Sequence, residues 1–327
     1  RYIDAFLERC VDQQGMVEWG NHEYYDAVKD DTVRFHGGWH ALRPITPAWE
    51  LFWLHDRDKC TRYIREMARR HVYDIETGGF NRHDDGKRGH AFIESGGILV
   101  ESMAWLYAKT GEGDLLKHAL RIARYSYSHR GESTGLVRNE PDFGRWDSHV
   151  CTTEIGVWAQ SLLRASEYAA NDEFAEMARS AVAAYLNYGF DVETQRYFGQ
   201  LAVRDGKPVT PDEKGYWPGK YADIWDTEQW PTHDYPMAVA EASVTLYART
   251  GDRVFLEAIR RWAKMISDQT PANNGRGAYA EHYGRCIHFL VRAGHVLKDE
   301  NLIAQAHALA KEAVDLLQDG KMFQGYP

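Results

Sequence analysis

The chain has 327 residues and a formal net charge of −9, from 39 Lys and Arg against 48 Asp and Glu. That acidic balance argues against a nucleic-acid or anionic-membrane binder, since both need a broad basic face. No apolar run approaches the roughly eighteen residues of a membrane-spanning helix, and 44% apolar residues suffice for one large core or two modest ones.

Helical periodicity starts at once, with Tyr2, Ile3, Phe6, Leu7, Cys10 and Val11 on one face. Further stripes are Cys60, Tyr63, Ile64, Met67, Ala68 and His71; Phe174, Met177, Ala178, Ala181, Val182 and Tyr185; and Phe255, Ala258, Ile259, Trp262, Ala263 and Ile266. The spacing predicts paired helices over 47–57 and 59–73, 94–109 and 113–129, 153–170 and 172–189, 235–250 and 252–268, and 277–297 and 300–317. Short polar turns join each pair, as antiparallel neighbours require. Strand-like alternation is confined to one stretch, Tyr197 to Val203, before the Asp205-Gly206 turn.

Two turns share a motif: Leu106-Tyr107-Ala108-Lys109-Thr110-Gly111-Glu112 and Leu246-Tyr247-Ala248-Arg249-Thr250-Gly251-Asp252. In each, Gly is expected to end the first helix in a left-handed cap. The connections after the second helices echo one another too: Glu76-Thr77-Gly78-Gly79-Phe80, Glu132-Ser133-Thr134-Gly135-Leu136 and Glu193-Thr194-Gln195-Arg196-Tyr197. Hairpins repeating about every 50–60 residues imply a closed ring or an open solenoid. No linker interrupts them, so 1–327 is expected to be one domain. Cys10, Cys60, Cys151 and Cys286 show no metal spacing and are expected to be free, buried thiols. The chain starts at Arg1 with no visible signal peptide, which fits a processed or trimmed N-terminus.

On the hairpin repeat, the Gly78-Gly79-Phe80 connection and the Leu-Tyr-Ala-x-Thr-Gly turns, the chain resembles the α/α-toroid (six-hairpin) carbohydrate-active enzymes. Trp19-Gly20-Asn21-His22 to His40, followed by Asn81-Arg82-His83, looks like polysaccharide-lyase-like members of that group. The resemblance implies an all-α α/α toroid, a substrate cleft built by the loops between hairpins, and a secreted or periplasmic enzyme. Five pairs and one unpaired helix do not complete a six-hairpin ring, so the chain could be a piece of a longer one.

Those loops concentrate polar and aromatic residues, and loops on a rigid scaffold are where function collects. The richest runs from Tyr221 to Tyr235, with Asp223, Trp225, Asp226, Gln229, Trp230, His233, Asp234 and Tyr235; His233 and Tyr235 enter a helix, whose N-terminus favours an anion. A second candidate holds Glu281, His282, Tyr283 and Arg285, although Glu281 and Arg285 could merely pair along a helix surface. A third is Asn81-Arg82-His83, whose donors suit a carboxylate. Trp39 with His40, and Trp146 with His149, complete the binding candidates. His22, His36 and His40 raise the idea of a metal, but Gly37-Gly38 speaks against the helix that would align them; no cofactor is predicted. Trp105, Trp158 and Trp262 lie on helical stripes and are expected in the core, whereas Trp39, Trp146, Trp217, Trp225 and Trp230 do not.

Aromatic faces beside directed polar groups suit a pyranose, whose CH face stacks while its hydroxyls need partners. Elimination from a uronate requires neutralising the carboxylate and removing the proton next to it. Asn81, Arg82 and His83, His233 and Tyr235, and His282, Tyr283 and Arg285 have the right chemistry for that. The leading expectation is therefore a polysaccharide lyase acting on an acidic oligo- or polysaccharide. The alternative is a glycoside hydrolase using two of Asp147, Asp226, Asp234 and Glu281. A His-based sugar epimerase and a non-catalytic helical scaffold are weaker readings.

Overall fold

The computed structural model describes residues 4, 8, 24–26, 29–33, 49–83, 87–141, 148–209, 220–225, 237–269, 280–320 and 322–323. Asp4 and Glu8 are helical; the rest of the opening amphipathic stretch lies outside the described residues.

Among the described residues the helices form five hairpins: α1 (Trp49–His55) with α2 (Arg57–His71), α3 (Ile93–Thr110) with α4 (Gly113–Ser128), α5 (Thr152–Ala169) with α6 (Asp172–Tyr188), α7 (Met237–Thr250) with α8 (Arg253–Asp268), and α9 (Ala280–Leu297) with α10 (Glu300–Leu317). All ten lie within a few residues of the periodicity-based ranges. Apolar spacing explains the division of labour within a pair. Helix α3 buries Ile93, Ile98, Leu99, Val100, Met103, Ala104, Trp105 and Leu106 and is covered on nearly every side. Its partner α4 buries only the stripe Leu115, Ala119, Ile122, Ala123 and Ser126. Helices α7 and α8 repeat this contrast.

The α1–α2 turn passes through Asp56 in an extended conformation (φ −152°), and the other four turns that reverse the chain share one construction. The first turn residue is left-handed: Gly111 (φ 75°), Ala170 (φ 49°), Gly251 (φ 70°) and Lys298 (φ 56°). In the two matching motifs, Gly111 N–H donates to Tyr107 O at 2.7 Å and Gly251 N–H to Tyr247 O at 2.8 Å. Thr110 Oγ1 donates to Leu106 O (2.9 Å) and accepts from Glu112 N–H (3.3 Å); Thr250 does the same with Leu246 O (2.9 Å) and Asp252 N–H (3.1 Å). The repeated Thr-Gly pair thus satisfies the helix-end carbonyl and starts the next helix.

Short antiparallel ribbons fill the connections. The ribbons are β1 (Tyr24–Asp26) with β2 (Asp31–Val33), β3 (Val72–Asp74) with β4 (Gly79–Phe80), β6 (Phe190–Asp191) with β7 (Arg196–Tyr197), and β9 (Gln318–Asp319) with β10 (Met322–Phe323). Strand β5 (His149–Cys151) pairs with β8 (Gln200–Ala202), His149 opposite Ala202 and Cys151 opposite Gln200. The single strand expected over Tyr197–Val203 is therefore two: Phe198 and Gly199 turn away to bond Gly189 O and Lys220 O, so β7 and β8 serve different partners. The three echoing connections each contain one left-handed residue, Gly78 (φ 82°), Gly135 (φ 72°) and Gln195 (φ 58°).

Contacts divide the chain into two compact units. One comprises Arg1–Arg130, Arg138–Asp147 and Ser161–Ala178; the other comprises Gly131–Val137, Ser148–Gln160 and Arg179–Pro327. In the first, Trp105 is enclosed by Trp49 (centroids 6.0 Å) and Trp53 (5.7 Å, edge-on), and its indole N–H donates to Glu50 at 3.1 Å. In the second, Trp262 stacks on Tyr197 at 4.7 Å and 7°. Trp105, Trp158 and Trp262 are all buried, as their stripes required. Cys60, Cys151 and Cys286 are free and buried, and burial pushes the Cys60 thiol up to about 12; Cys10 lies outside the described residues. Among the described residues no helix is long and apolar enough to cross a membrane.

Candidate functional site

In the first unit, polar residues gather where the β3–β4 ribbon leads into α3. The ribbon lies directly on α4: a Cβ on Gly78 would sit 2.3 Å from the Arg121 carbonyl oxygen. Phe80 then fills the space against Gly96 of α3. This seating projects Asn81, Arg82 and His83, all buried, with exposures of 2%, 9% and 9%.

The loop that follows closes on itself. Arg82 N–H donates to His90 O at 2.9 Å. The Asn81 carboxamide donates to Lys87 O (2.9 Å) and accepts from His83 N–H (2.9 Å), while His71 Nδ1 contacts Asn81 O at 2.9 Å. Asn81 thus holds the loop, and its side chain is committed to that task. Closure brings the His83 and His90 rings to 4.6 Å between centroids. His90 Nδ1 lies 3.3 Å from Glu140 Oε1, on a carboxylate 1% exposed. The Arg82 guanidinium sits 4.6 Å over the Phe92 ring. Asn139 O accepts the Ile93 N–H at the start of α3 (2.9 Å). His90 adopts φ 41°, a conformation uncommon outside glycine and one that clusters at functional sites.

The result is one cation, two adjacent imidazoles tilted at 46° and a buried carboxylate 3.3 Å from the more exposed imidazole. Such a set can bind an anionic group and move a proton beside it. His90, Asn139 and Glu140 were not singled out in the sequence. A signal was there: aligning Gly135 with Gly78 places Arg138, Asn139 and Glu140 opposite Asn81, Arg82 and His83.

The second unit carries another constellation, on α7 and α9. The Glu241 carboxylate, 6% exposed, faces Arg285 Nη1 at 3.4 Å and His288 Nδ1 at 3.4 Å. Arg285 Nε also lies 3.5 Å from Glu281, the helix-surface pair that the four-residue spacing allowed. Tyr283 is 1% exposed and its hydroxyl donates to Glu312 at 2.6 Å. Trp225 is 4% exposed, with its ring 5.0 Å from Tyr283 and 6.4 Å from His282, so it faces those side chains and not solvent. Asp223 forms a two-point pair with Arg196 and accepts from Gln269 (3.2 Å), anchoring the start of the Tyr221–Tyr235 loop. Glu241 and His288 carried no sequence signal beyond helical spacing. His149 is half-buried in β5. Trp39, His40, Trp146, Asp226, Trp230, His233 and Tyr235 lie outside the described residues, as do Asp147 and Asp234. Among the described residues no group of three His, Cys, Asp or Glu is arranged to hold a metal ion.

Burial, and then the Arg285 charge, hold His282 down to about 4 from an ordinary 6.5. The unfolded chain therefore takes up this proton first. Stability contributed by neutral His282 is complete above pH 6.5 and is lost as pH falls toward 4, by roughly 3 kcal/mol over that window. The fall in thermal midpoint from pH 6.5 to 4 is expected to be shallower in His282→Gln; an unchanged slope would assign that sensitivity elsewhere.

A family model described as periplasmic pectate lyase matches residues 1–95, a span that includes Asn81, Arg82, His83 and His90. Among solved structures, a D-mannose isomerase superposes with TM-score 0.68 at 11% identity, covering 99% of this chain and 87% of that one. A cellobiose 2-epimerase from Bacillus thermoamylovorans B4167 gives 0.65 at 11%, covering 98% and 87%. The GH76A α-1,6-mannanase from Salegentibacter sp. HEL1_6 gives 0.59 at 11%, covering 96% and 85%. The fold is the α/α toroid. These similarities establish architecture, which agrees with the hairpin repeat; at such identity the chemistry has to be argued from the side chains.

Proposed function

We propose that this α/α-toroid chain is a carbohydrate-active enzyme, a polysaccharide lyase that cleaves a uronic-acid-containing glycan by β-elimination. The observation that carries the reading is the Arg82–His83–His90–Glu140 cluster, part of which falls within the span matched by the pectate-lyase model. Arg82 pairs with the uronate carboxylate and lowers the cost of negative charge building beside it. One imidazole of the His83–His90 pair removes the proton from the carbon bearing the carboxylate. The freed electron pair forms the new C=C bond as the C–O bond to the leaving sugar breaks, and the leaving oxygen takes up a proton. Glu140 fixes the orientation of His90 during that exchange. Since polymer-degrading enzymes act outside the cytoplasm, a periplasmic or secreted location goes with this reading.

The test is absorbance. Incubation with acidic polysaccharides is expected to release fragments whose C=C, conjugated to a carboxylate, absorbs in the ultraviolet. New reducing ends without that rise would overturn the lyase reading in favour of hydrolysis by a carboxylate pair. A second reading, sugar epimerase or isomerase, is favoured by the adjacent imidazoles together with the likeness to an epimerase and an isomerase. It predicts a changed monosaccharide or disaccharide with no chain cleavage.

A further inference from the structure

We propose that a groove in the second unit is an auxiliary binding site for an acidic sugar chain, built from residues outside both constellations described above. It is a cavity of about 510 Å³ between α8 and the turn joining α9 to α10, with Tyr247, Arg260, Lys264, Lys298, Asn301 and Gln305 among its walls. Among the described residues, three cationic side chains line it against one carboxylate, Asp299, in a chain whose net charge is −9.

That one carboxylate is already engaged: Asp299 accepts the Asn301 N–H at 3.0 Å as the N-cap of α10. Lys264 is balanced by Asp268 at 2.6 Å. Arg260 and Lys298 make no ion pair among the described residues. Lys298 also occupies the left-handed turn position, φ 56°, where the matching hairpins have Gly111 and Gly251. A long cationic side chain at a position that favours glycine is a local strain, and it places charge at the groove's edge. The remaining walls mix polar and apolar groups: Gln305 donates to Ser267 at 2.7 Å and Asn301 lies in the first turn of α10, while Leu256, Ala263, Val296, Leu297 and Leu302 supply apolar surface. Tyr247 adds a half-buried ring.

This combination matches a pyranose chain bearing carboxylates or sulfates. The ring can stack on Tyr247, its hydroxyls find amide and hydroxyl partners, and its anionic groups meet Arg260 and Lys298. A neutral glycan would leave both cations without partners, and a compact anion such as phosphate would leave most of the cavity unfilled. The groove opens at the opposite end of α9 from Arg285.

The test is native affinity electrophoresis of the full chain carrying Arg82→Ala, which under the proposed function slows cutting of the polymer by roughly 10²–10³-fold. Gels contain polygalacturonate, a sulfated glycan, a neutral glucan, polyphosphate or no polymer, with mobility referred to the last. Retardation is expected with both acidic glycans, and its loss in the added triple variant R260Q/K264Q/K298G. Lys298→Gly alone removes charge while relieving the backbone. Its thermal midpoint should not fall, and it should weaken the retardation by itself. Undiminished retardation of the triple variant overturns the site, and equal retardation by neutral glucan overturns its charge basis. Equal retardation by polyphosphate overturns the assignment to sugar. Because the readout is binding, the groove can succeed even if the ultraviolet test of the lyase reading fails.

Discussion

Replacing Arg82 with Ala is expected to lower kcat/KM on a uronate polymer by roughly 10²–10³-fold, the usual cost of removing one donor aimed at developing negative charge. The guanidinium is the cation of the first-unit cluster, 9% exposed and held over Phe92 at 4.6 Å. The carboxylate it would neutralise is what makes the neighbouring proton removable, so the loss should fall on kcat and not on KM alone. Arg82→Lys keeps the charge but loses the planar two-point fork, and should recover part of the rate. Initial rates by ultraviolet absorbance, with circular-dichroism melts to verify folding, settle the outcome. Wild-type turnover in Arg82→Ala would remove this residue from the chemistry.

The largest structural effect is expected at Gly78. Alanine there meets two penalties: a left-handed φ of 82° and a Cβ 2.3 Å from the Arg121 carbonyl oxygen, a backbone atom that cannot swing aside. The left-handed strain costs about 1–2 kcal/mol and the overpacking about 1–3 kcal/mol more. A fall in thermal midpoint on the order of 5–10 °C should follow. Gly111→Ala is the internal control, since its φ of 75° is similar but no atom of the described residues lies within 4 Å of the added Cβ. Only strain remains there, about 1 kcal/mol, and the midpoint should move by about 2 °C. Equal shifts in the two variants would show that the close approach of the ribbon to α4 is unimportant. Because Gly78 seats the ribbon that presents Asn81, Arg82 and His83, its variant should also lose activity at temperatures where it remains folded.

The sequence carried the helices well because their information is local. Stripes at helical spacing, as in Phe255, Ala258, Ile259, Trp262, Ala263 and Ile266, require burial on one face whatever they pack against. The Thr-Gly turns were legible for the same reason, since every hydrogen bond that builds them joins residues within four positions. Strand pairing was less so. Tyr197–Val203 reads as one strand, and only the distant partners Gly189, Lys220 and His149 show where it divides.

The candidate site divides along the same line. Asn81, Arg82 and His83 stood out as a polar triplet following a glycine-rich ribbon, and they do share one cluster. His90 and Glu140 did not stand out. They join that cluster through a loop closure at Arg82 N–H and a contact spanning fifty positions, neither of which has a local signature. Asn81 was expected to act on substrate, and its carboxamide is instead occupied with Lys87 and His83. Trp225 has a loop setting that suggested a stacking face, yet α9 covers it.

By itself, then, the sequence determined the all-α class, the hairpin pairing and the turns, because periodic burial and short-range hydrogen bonds depend on neighbours a few residues away. Tertiary structure alone decided which imidazole meets which carboxylate, which aromatic rings are covered, and where cations share a groove. Those depend on the packing of segments far apart in the chain, where a shift of a few ångströms makes or breaks a hydrogen bond.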